Sequence, residues 1–548
     1  MPRMTGGQAL VAALEQEGLD TIFGLPGVQL DWAFDAFYAA SDRIKVIHTR
    51  HEQATAYMAD GYARTTGKVG AFIVVPGPGI LNASAAISTA YATNSPVLAI
   101  TGQIQSDLID MGRGLLHEVY DQVGMLRHIT KYAARASTPK EVPIVVHEAF
   151  RQMRSGRPRP TEIEIPPDVL ARVDDVDLGK PLAADKQSPD PALIERAAEI
   201  VGQAERPMIV AGGGVISAEA WAEVRALAEM LEAPVVMSAN GRGVLSERHP
   251  LACVALAAQD VAATCDAVIA IGTRLVAGGG MPVPLPRGPI VRIDADSTQL
   301  HRTVVATVGI AADAKLALTE LLERLGKHNR KRASRRDEIA AISRGLREQL
   351  EAAQPQSSLG LAVRNGLPDD AIVVDESTQV GYWSRSGMPV FEPRSYVTSG
   401  YQGTLGYGFP TGLGAAVGNP GRRVVSMNGD GGFMFNVQEL ATAVQHNIPL
   451  TTIVFDDGAF GNVKRIQQEQ FGGRTIASSL RNPDFAKIAE GFGMAGVKAE
   501  SADALTGAVK EAGTHKGPVL IHVPVGPMPN FQRIMREAMA KKQPVAAR

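Results

Sequence analysis

Short runs of Val, Ile and apolar neighbours recur along this chain, each separated from the next by room for a helix: KVIHT, GAFIVV, PVLAIT, PMIVAGG, DAVIAIG, PIVRIDAD, AIVVDE, RVVSMNG, LTTIVFDD and PVLIHVPV. Runs without polar alternation are strands buried on both faces, and helical patterns between them supply the cover, so parallel sheets wrapped by helices are predicted. The 548 residues suffice for about three domains, since one takes roughly 100–200 residues. Composition breaks twice. Ala171 to Pro191 is acidic, Pro/Asp-rich and aperiodic, which marks a linker, and KHNRKRASRR (Lys327 to Arg336) is a basic run expected on a solvated helix or connector. The expected fold is α/β with three doubly wound parallel-sheet domains at 1–172, 190–345 and 355–530, the first and third being two versions of one plan.

A formal charge of −2 gives no electrostatic case for nucleic acid or a membrane surface as partner. No unbroken apolar run approaches the ~18 residues of a membrane span, and no charged-then-apolar leader opens the chain. Two cysteines, Cys253 and Cys265, indicate a reducing compartment and no disulfide framework. A cytoplasmic protein is expected.

The chemistry concentrates between Asn428 and Asn462, NGDGGFMFNVQELATAVQHNIPLTTIVFDDGAFGN. An apolar run leads into the turn Gly429-Asp430-Gly431-Gly432, followed by a helical pattern, a second apolar run and the turn Asp456-Asp457-Gly458. Acids at the ends of neighbouring strands suit Mg²⁺, which takes one or two carboxylates together with phosphate oxygens and water. Glycines beside them let backbone N–H groups approach a diphosphate. Asp430 and Asp457 are the expected ligands. Turn chemistry alone would produce either turn, but not the pairing.

GDG followed one helix and one strand later by an acid or amide pair resembles the signature of the thiamine diphosphate enzymes, specifically the acetolactate synthase, pyruvate oxidase and benzoylformate decarboxylase group. The likeness runs over nearly the whole chain and implies pyrimidine, middle and diphosphate domains. That family usually has Asn-Asn where Asp456-Asp457 stand; the second residue and the carbonyl two positions on, here Ala459, complete the metal set, with Phe460 and Gly461 following in the cofactor-binding segment. In the N-terminal domain, FGLPGVQLDWAFDAF and IKVIHTRHEQATAYMADGYARTTG match the family and put Glu52 at the place of its glutamate. A carboxylic acid there donates to the cofactor's pyrimidine nitrogen, and burial favours its protonated form. Glu52 also reads as the acidic opening of a helix. GTLGYG (403–408) matches the segment that wedges the cofactor's rings together, giving Leu405 as wedge and the Gly403 carbonyl as partner of the 4-amino group. In VVDESTQVG, Ser377, Thr378 and Gln379 are candidates to meet the diphosphate through backbone N–H groups.

Departures from the family concern the flavin and the substrate. Gly212-Gly213-Gly214 lacks the spacing of a full dinucleotide fingerprint. Acetolactate synthases hold FAD partly through Gly-x-Arg-Phe-Asp-Asp-Arg, whereas this chain reads Gly272-Thr273-Arg274-Leu275-Val276-Ala277-Gly278, so FAD is not expected. Around the reactive ring the family has Phe-Gln-Glu against Leu116-His117-Glu118 here, and bulky Met and Trp against Asn462 and Ile466. Val28, Leu116, His117, Asn462 and Ile466 form the expected substrate pocket, wider than acetyl chemistry needs. His117 is either a proton shuttle or a hydrogen-bonded structural residue. The resemblance implies an enzyme that decarboxylates a 2-oxoacid and joins the bound fragment to a second carbonyl. The alternatives are a benzoylformate-type decarboxylase or acyloin lyase and, more remotely, an inactive scaffold. Small 2-oxoacids or aldehydes are the implied substrates, and a homodimer or homotetramer with the cofactor at a subunit interface is the implied assembly.

Overall fold

The computed structural model describes residues 1–277 and 280–541. It contains three six-stranded sheets, all parallel, in three successive α/β domains. In the N-terminal sheet the strands lie in the order Lys45–His48, Thr21–Gly24, Gly70–Val74, Val97–Gly102, Thr161–Ile165, Tyr132–Arg135. The C-terminal sheet runs Tyr396–Thr398, Ile372–Asp375, Val424–Gly429, Leu450–Asp456, Val519–Pro524, Ala495–Lys498. Numbered within each domain, both read 2-1-3-4-6-5, so the first and third domains do share one plan. The middle sheet differs: Ala252–Val254, Val235–Met237, Pro207–Ala211, Ala267–Ile271, Ile290–Asp294, Val308–Ala311, or 3-2-1-4-5-6, the order of dinucleotide-binding domains.

Helices on both faces explain why the strands carry unbroken apolar runs. All residues of Gly70–Val74, Pro207–Ala211 and Ile372–Asp375 are buried, and each fully buried Val, Ile or Leu contributes roughly 1.5–3 kcal/mol of transfer free energy. TEIEI (Thr161–Ile165) alternates like a half-solvated strand, yet Glu162 and Glu164 are fully buried. Glu164 is satisfied from the side, accepting from Gln122 Nε2 at 2.7 Å and from Arg135, whereas Glu162 accepts from Thr101 Oγ1 at 2.7 Å through one oxygen and leaves Oε2 without a partner, and burial pushes its pKa well up.

The acidic connector is not wholly aperiodic, because Val173–Asp175 pairs antiparallel with Arg3–Thr5 before the chain runs irregularly to the helix at Pro191. The basic run is less solvated than its charge suggests. Arg332 donates to the carbonyls of Val201, Gly202 and Ala204, and Arg335, 4% exposed, reaches Thr264 and Glu338. These guanidinium groups cap carbonyls and tie the connector to the middle domain.

The first and third domains meet through the helices Glu52–Thr66 and Gly408–Gly418. They approach at backbone distance: a Cβ on Gly61 would lie 2.0 Å from the Thr411 carbonyl oxygen, and one on Gly414 would lie 1.9 Å from that of Met58. Any side chain at either glycine would push the helix carrying Glu52 away from the loop carrying Leu405.

Candidate active site

The metal half forms where adjacent strands end together. Gly429, the last residue of its strand, is in register with Phe455, so Asp430 and the pair Asp456-Asp457 emerge side by side at the carboxyl edge. Asp430 is 3% exposed, and burial, followed by the charges of Asp457 and Asp456, pushes its pKa up to about 7. Burial also raises Asp457, whose Oδ1 accepts from the Ala459 N–H at 3.2 Å. Asn482 Nδ2 donates to Asp430 at 2.5 Å and to Asp456 at 2.7 Å. Burial opposes ionisation of Asp456, but Asn482 and His522 Nε2, 3.0 Å away, hold its carboxyl below the usual range.

Asp456 therefore has a dedicated partner, whereas Asp430 is met by a neutral amide and by more negative charge. A divalent cation is what this arrangement accommodates. Among the described residues no group of three or more His, Cys, Asp or Glu is placed to hold a metal, so the remaining oxygens would come from a backbone carbonyl, phosphate and water. Ala459 is fixed for such a part by its bridge to Ser479 and by the bond from the Phe460 N–H to the Ser478 carbonyl at 2.9 Å.

Beside these turns the strand Ile372–Asp375 ends in Glu376, Ser377 and Thr378. Thr378 caps the helix Gln379–Gly387, accepting from the Gly381 N–H at 2.8 Å, but gives its own N–H to the Glu376 carbonyl at 2.8 Å. Gln379 turns its side chain to the Phe531 N–H, 2.9 Å away. In the loop 403–408, Gly403 lies in the left-handed region at φ 58° and Leu405 is 38% exposed. On the following turn, the helix Gly461–Gln470 carries Asn462 and Ile466, both exposed.

The N-terminal half is built on the edge of its own sheet. Glu52 begins the helix Glu52–Thr66, capped by His51, whose Nδ1 accepts from the Gln53 N–H at 3.2 Å. Glu52 Oε2 accepts from Asn82 Nδ2 at 3.0 Å, so Asn82 borders the acid. His117 has φ 69°, its Nδ1 is 3.1 Å from Gln29 Oε1, and Gln29 Nε2 donates to the Leu116 carbonyl at 3.2 Å. One ring nitrogen is thus engaged, which serves the structural reading and leaves Nε2 for the other. Gln122, fully buried, accepts from the Gly77 N–H at 3.0 Å and holds the turn from which the helix bearing Asn82 starts.

A cleft of about 550 Å³ opens where the switch point of the middle domain, with Gly213, Gly214 and Gly272, faces residues of the first and third domains, among them Arg64, Arg157 and Arg394. Arg274, at the place of the flavin-binding arginine, instead lies over the Tyr401 ring at 4.6 Å. Gly278 of the same stretch lies outside the described residues.

Comparison with known proteins decides the family. Residues 4–125, 194–321 and 376–523 match, respectively, the N-terminal TPP binding domain, the central domain and the C-terminal TPP binding domain of thiamine pyrophosphate enzymes. The chain belongs to that family. It is 35% identical over 552 residues to a probable acetolactate synthase large subunit of Methanocaldococcus jannaschii, covering 96% of this chain and 92% of the relative. It is 35% identical over 537 residues to a probable 2-ketoarginine decarboxylase of Pseudomonas aeruginosa, covering 95% and 94%. Acetolactate synthase isozyme 1 large subunit of Escherichia coli is 33% identical over 537 residues, covering 95% and 94%.

As a thiamine pyrophosphate enzyme, the chain binds thiamine diphosphate and is a carboligase or decarboxylase of acetolactate synthase-like type. The structure brings Asp430 and Asp457 together, and gathers Glu52 with Asn82 and His117 with Gln29. Sequence reasoning passed over four polar residues that the enzyme places at these sites: Gln29, Gln122, Glu376 and Asn482. Asn482 and Gln122 follow turns with no motif, whereas Glu376 stands inside the run read for Ser377 and Thr378, where only its burial distinguishes it.

Proposed function

We propose that this enzyme is a Mg²⁺-dependent carboligase that decarboxylates a 2-oxoacid and couples the retained fragment to a second carbonyl compound. The observation that carries the metal-anchored reading is the buried Asp430 beside the half-buried Asp457, both raised by burial and then by a neighbouring carboxylate, with Asp430 bonded by the neutral amide of Asn482. Asp430, Asp457 and the Ala459 carbonyl would hold Mg²⁺, and N–H groups of Gly431, Gly432, Gly461 and Ser377 would face the diphosphate. When bound, thiamine diphosphate supplies the nucleophilic carbon and the electron sink. Glu52 would hold a proton against the pyrimidine ring with Asn82 orienting its carboxyl, Gly403 would accept the 4-amino group, and Leu405 would keep the rings bent. His117 would move a proton to or from the substrate-derived oxygen through the nitrogen that Gln29 leaves free.

Simple decarboxylation is the second reading, supported by the similarity to the 2-ketoarginine decarboxylase and by the small Leu116 and Ile466 in the pocket. A panel of 2-oxoacids and aldehydes, with thiamine diphosphate and Mg²⁺, analysed for carbon dioxide and for coupled products, separates the two. Coupled product is expected; carbon dioxide with free aldehyde alone would leave the decarboxylase reading.

Flavin is not part of this reading, because the stretch 272–278 lacks the Asp-Asp-Arg of the flavin-holding segment, and Arg274 lies over the Tyr401 ring. The purified enzyme should be colourless and active without FAD. A stoichiometric flavin spectrum would overturn this.

The assembly proposed is a homodimer or a pair of dimers. Val28 and Leu116 are 64% and 63% exposed on one side, and Leu405, Phe435 and Ile466 are exposed on the other, more apolar surface at a cofactor site than a single chain covers. If the halves come from different subunits, mixing inactive Glu52→Gln with inactive Asp430→Ala chains should restore part of the activity, because a hybrid dimer contains one intact site. No restoration after demonstrated subunit exchange would place both halves in one chain.

A further inference from the structure

We propose that Glu376 is a positioning residue of the cofactor site: its carboxylate clamps the loop that carries Leu405 and so sets where that side chain meets the cofactor. The inference rests on the thiamine diphosphate reading of the site and adds a residue to it. Leu405 is 38% exposed and stands on a loop, so core packing does not fix it and its place depends on the backbone around it. Behind it, Glu376 Oε1 accepts the N–H groups of the next two residues, Gly406 at 2.8 Å and Tyr407 at 3.2 Å. Ahead of it, Thr404 Oγ1 accepts from the Tyr57 hydroxyl at 2.8 Å and lies 3.0 Å from Thr89 Oγ1. The carbonyl of Gly406 accepts from Asn436 Nδ2 at 2.7 Å. Gly406 has φ 80°, so the loop turns at the residue that Glu376 grips.

The fold makes room for this carboxylate at some cost. Glu376 is 2% exposed, and its Oε2 has no hydrogen-bond partner, an expensive condition for a buried polar atom. Its backbone is fixed by bonds to the Met427 carbonyl at 3.0 Å and from the Thr378 N–H at 2.8 Å. The carboxylate rests against Gly432, where a Cβ would lie 2.4 Å from both oxygens, so the second glycine after Asp430 is what admits it. Burial pushes the Glu376 pKa up to about 7 despite the N–H bonds. A proton on Oε2 would leave Oε1 free to accept, so the clamp does not depend on ionisation, and a glutamine should reproduce it.

The test compares Glu376→Ala, Glu376→Asp and Glu376→Gln in the full chain. In cofactor-free protein, amide exchange measured over 403–408 should accelerate by the order of tenfold in the Ala and Asp variants and remain near wild type in Gln. With Mg²⁺, calorimetric affinity for thiamine diphosphate should stay within a few-fold, while deuterium exchange at its reactive carbon falls about 10²-fold in Ala and Asp, the cost of misplacing a group by roughly 1 Å. Glu376→Asp keeps the charge but withdraws the acceptor, so it serves should the Ala variant fail to fold. Wild-type amide protection at Gly406 and Tyr407 in both shortened variants, or a Gln variant as impaired as Ala, would overturn the clamp. If the wild-type chain binds no thiamine diphosphate, the functional reading fails, and the cofactor-free comparison still decides the clamp.

Discussion

Glu52→Gln should bind thiamine diphosphate almost as the wild type does, yet lose about 10²- to 10⁴-fold of the deuterium exchange at the cofactor's reactive carbon. The substitution keeps the side-chain shape and leaves the helix capped by His51, and a glutamine oxygen can still accept from Asn82. What it removes is the acidic proton. If affinity resides mainly in the proposed metal and diphosphate half, binding and exchange should separate, and activity should fall with exchange. Exchange at the wild-type rate would sink the assignment of Glu52.

Asp430→Ala should have the opposite signature, with cofactor affinity collapsing together with activity. It removes the nearly buried carboxylate proposed as a ligand, which no neighbour replaces, since Asn482 offers an amide and Asp456 is engaged by His522. A loss of 10- to 100-fold or more in affinity is expected, of the order seen when even the partners supporting a metal ligand are removed. Asp457→Asn should be milder, because it keeps an oxygen donor and relieves like charge. The pH dependence follows from Asp430. Its folded pKa of about 7 lies above the ordinary 3.8, so in metal-free protein the stability associated with its proton is present below about pH 4 and is lost as pH rises to about 7. A cation binds the ionised form and relieves that loss. The Mg²⁺-induced rise in Tm should therefore grow between pH 5 and 8 in the wild type and vanish in Asp430→Ala. Wild-type-like calorimetric binding by that variant would refute the metal assignment.

What could be read from sequence was what is locally encoded. The strands RVVSMNG and LTTIVFDD and the turns after them follow from apolar runs and Asp/Gly chemistry, and their parallel pairing brings Asp430 beside Asp457. Glu52 was reached through resemblance, since its helix-opening position gives the same sequence pattern whether or not the acid is catalytic. The strand order of each sheet was not legible, because it is set by which helices pack together over long separations. Residues that act through distant partners were hidden for the same reason: Gln122 bonds Gly77 from 45 positions away, and Asn482 reaches Asp430 from 52. The pattern of TEIEI misleads because Glu162 and Glu164 meet side chains of neighbouring strands and of a helix, Thr101, Arg135 and Gln122, rather than water. The polar strand Val173–Asp175 carries no apolar signal and exists through pairing with Arg3–Thr5.

The central claim is that this chain forms a thiamine diphosphate site anchored by a metal on Asp430 and Asp457. Calorimetric titration of thiamine diphosphate into metal-stripped protein, with and without Mg²⁺, tests it most directly. The account predicts one cofactor bound per chain in the presence of Mg²⁺ and no measurable binding in its absence. Equal binding with and without a divalent cation, or no binding under either condition, would contradict it.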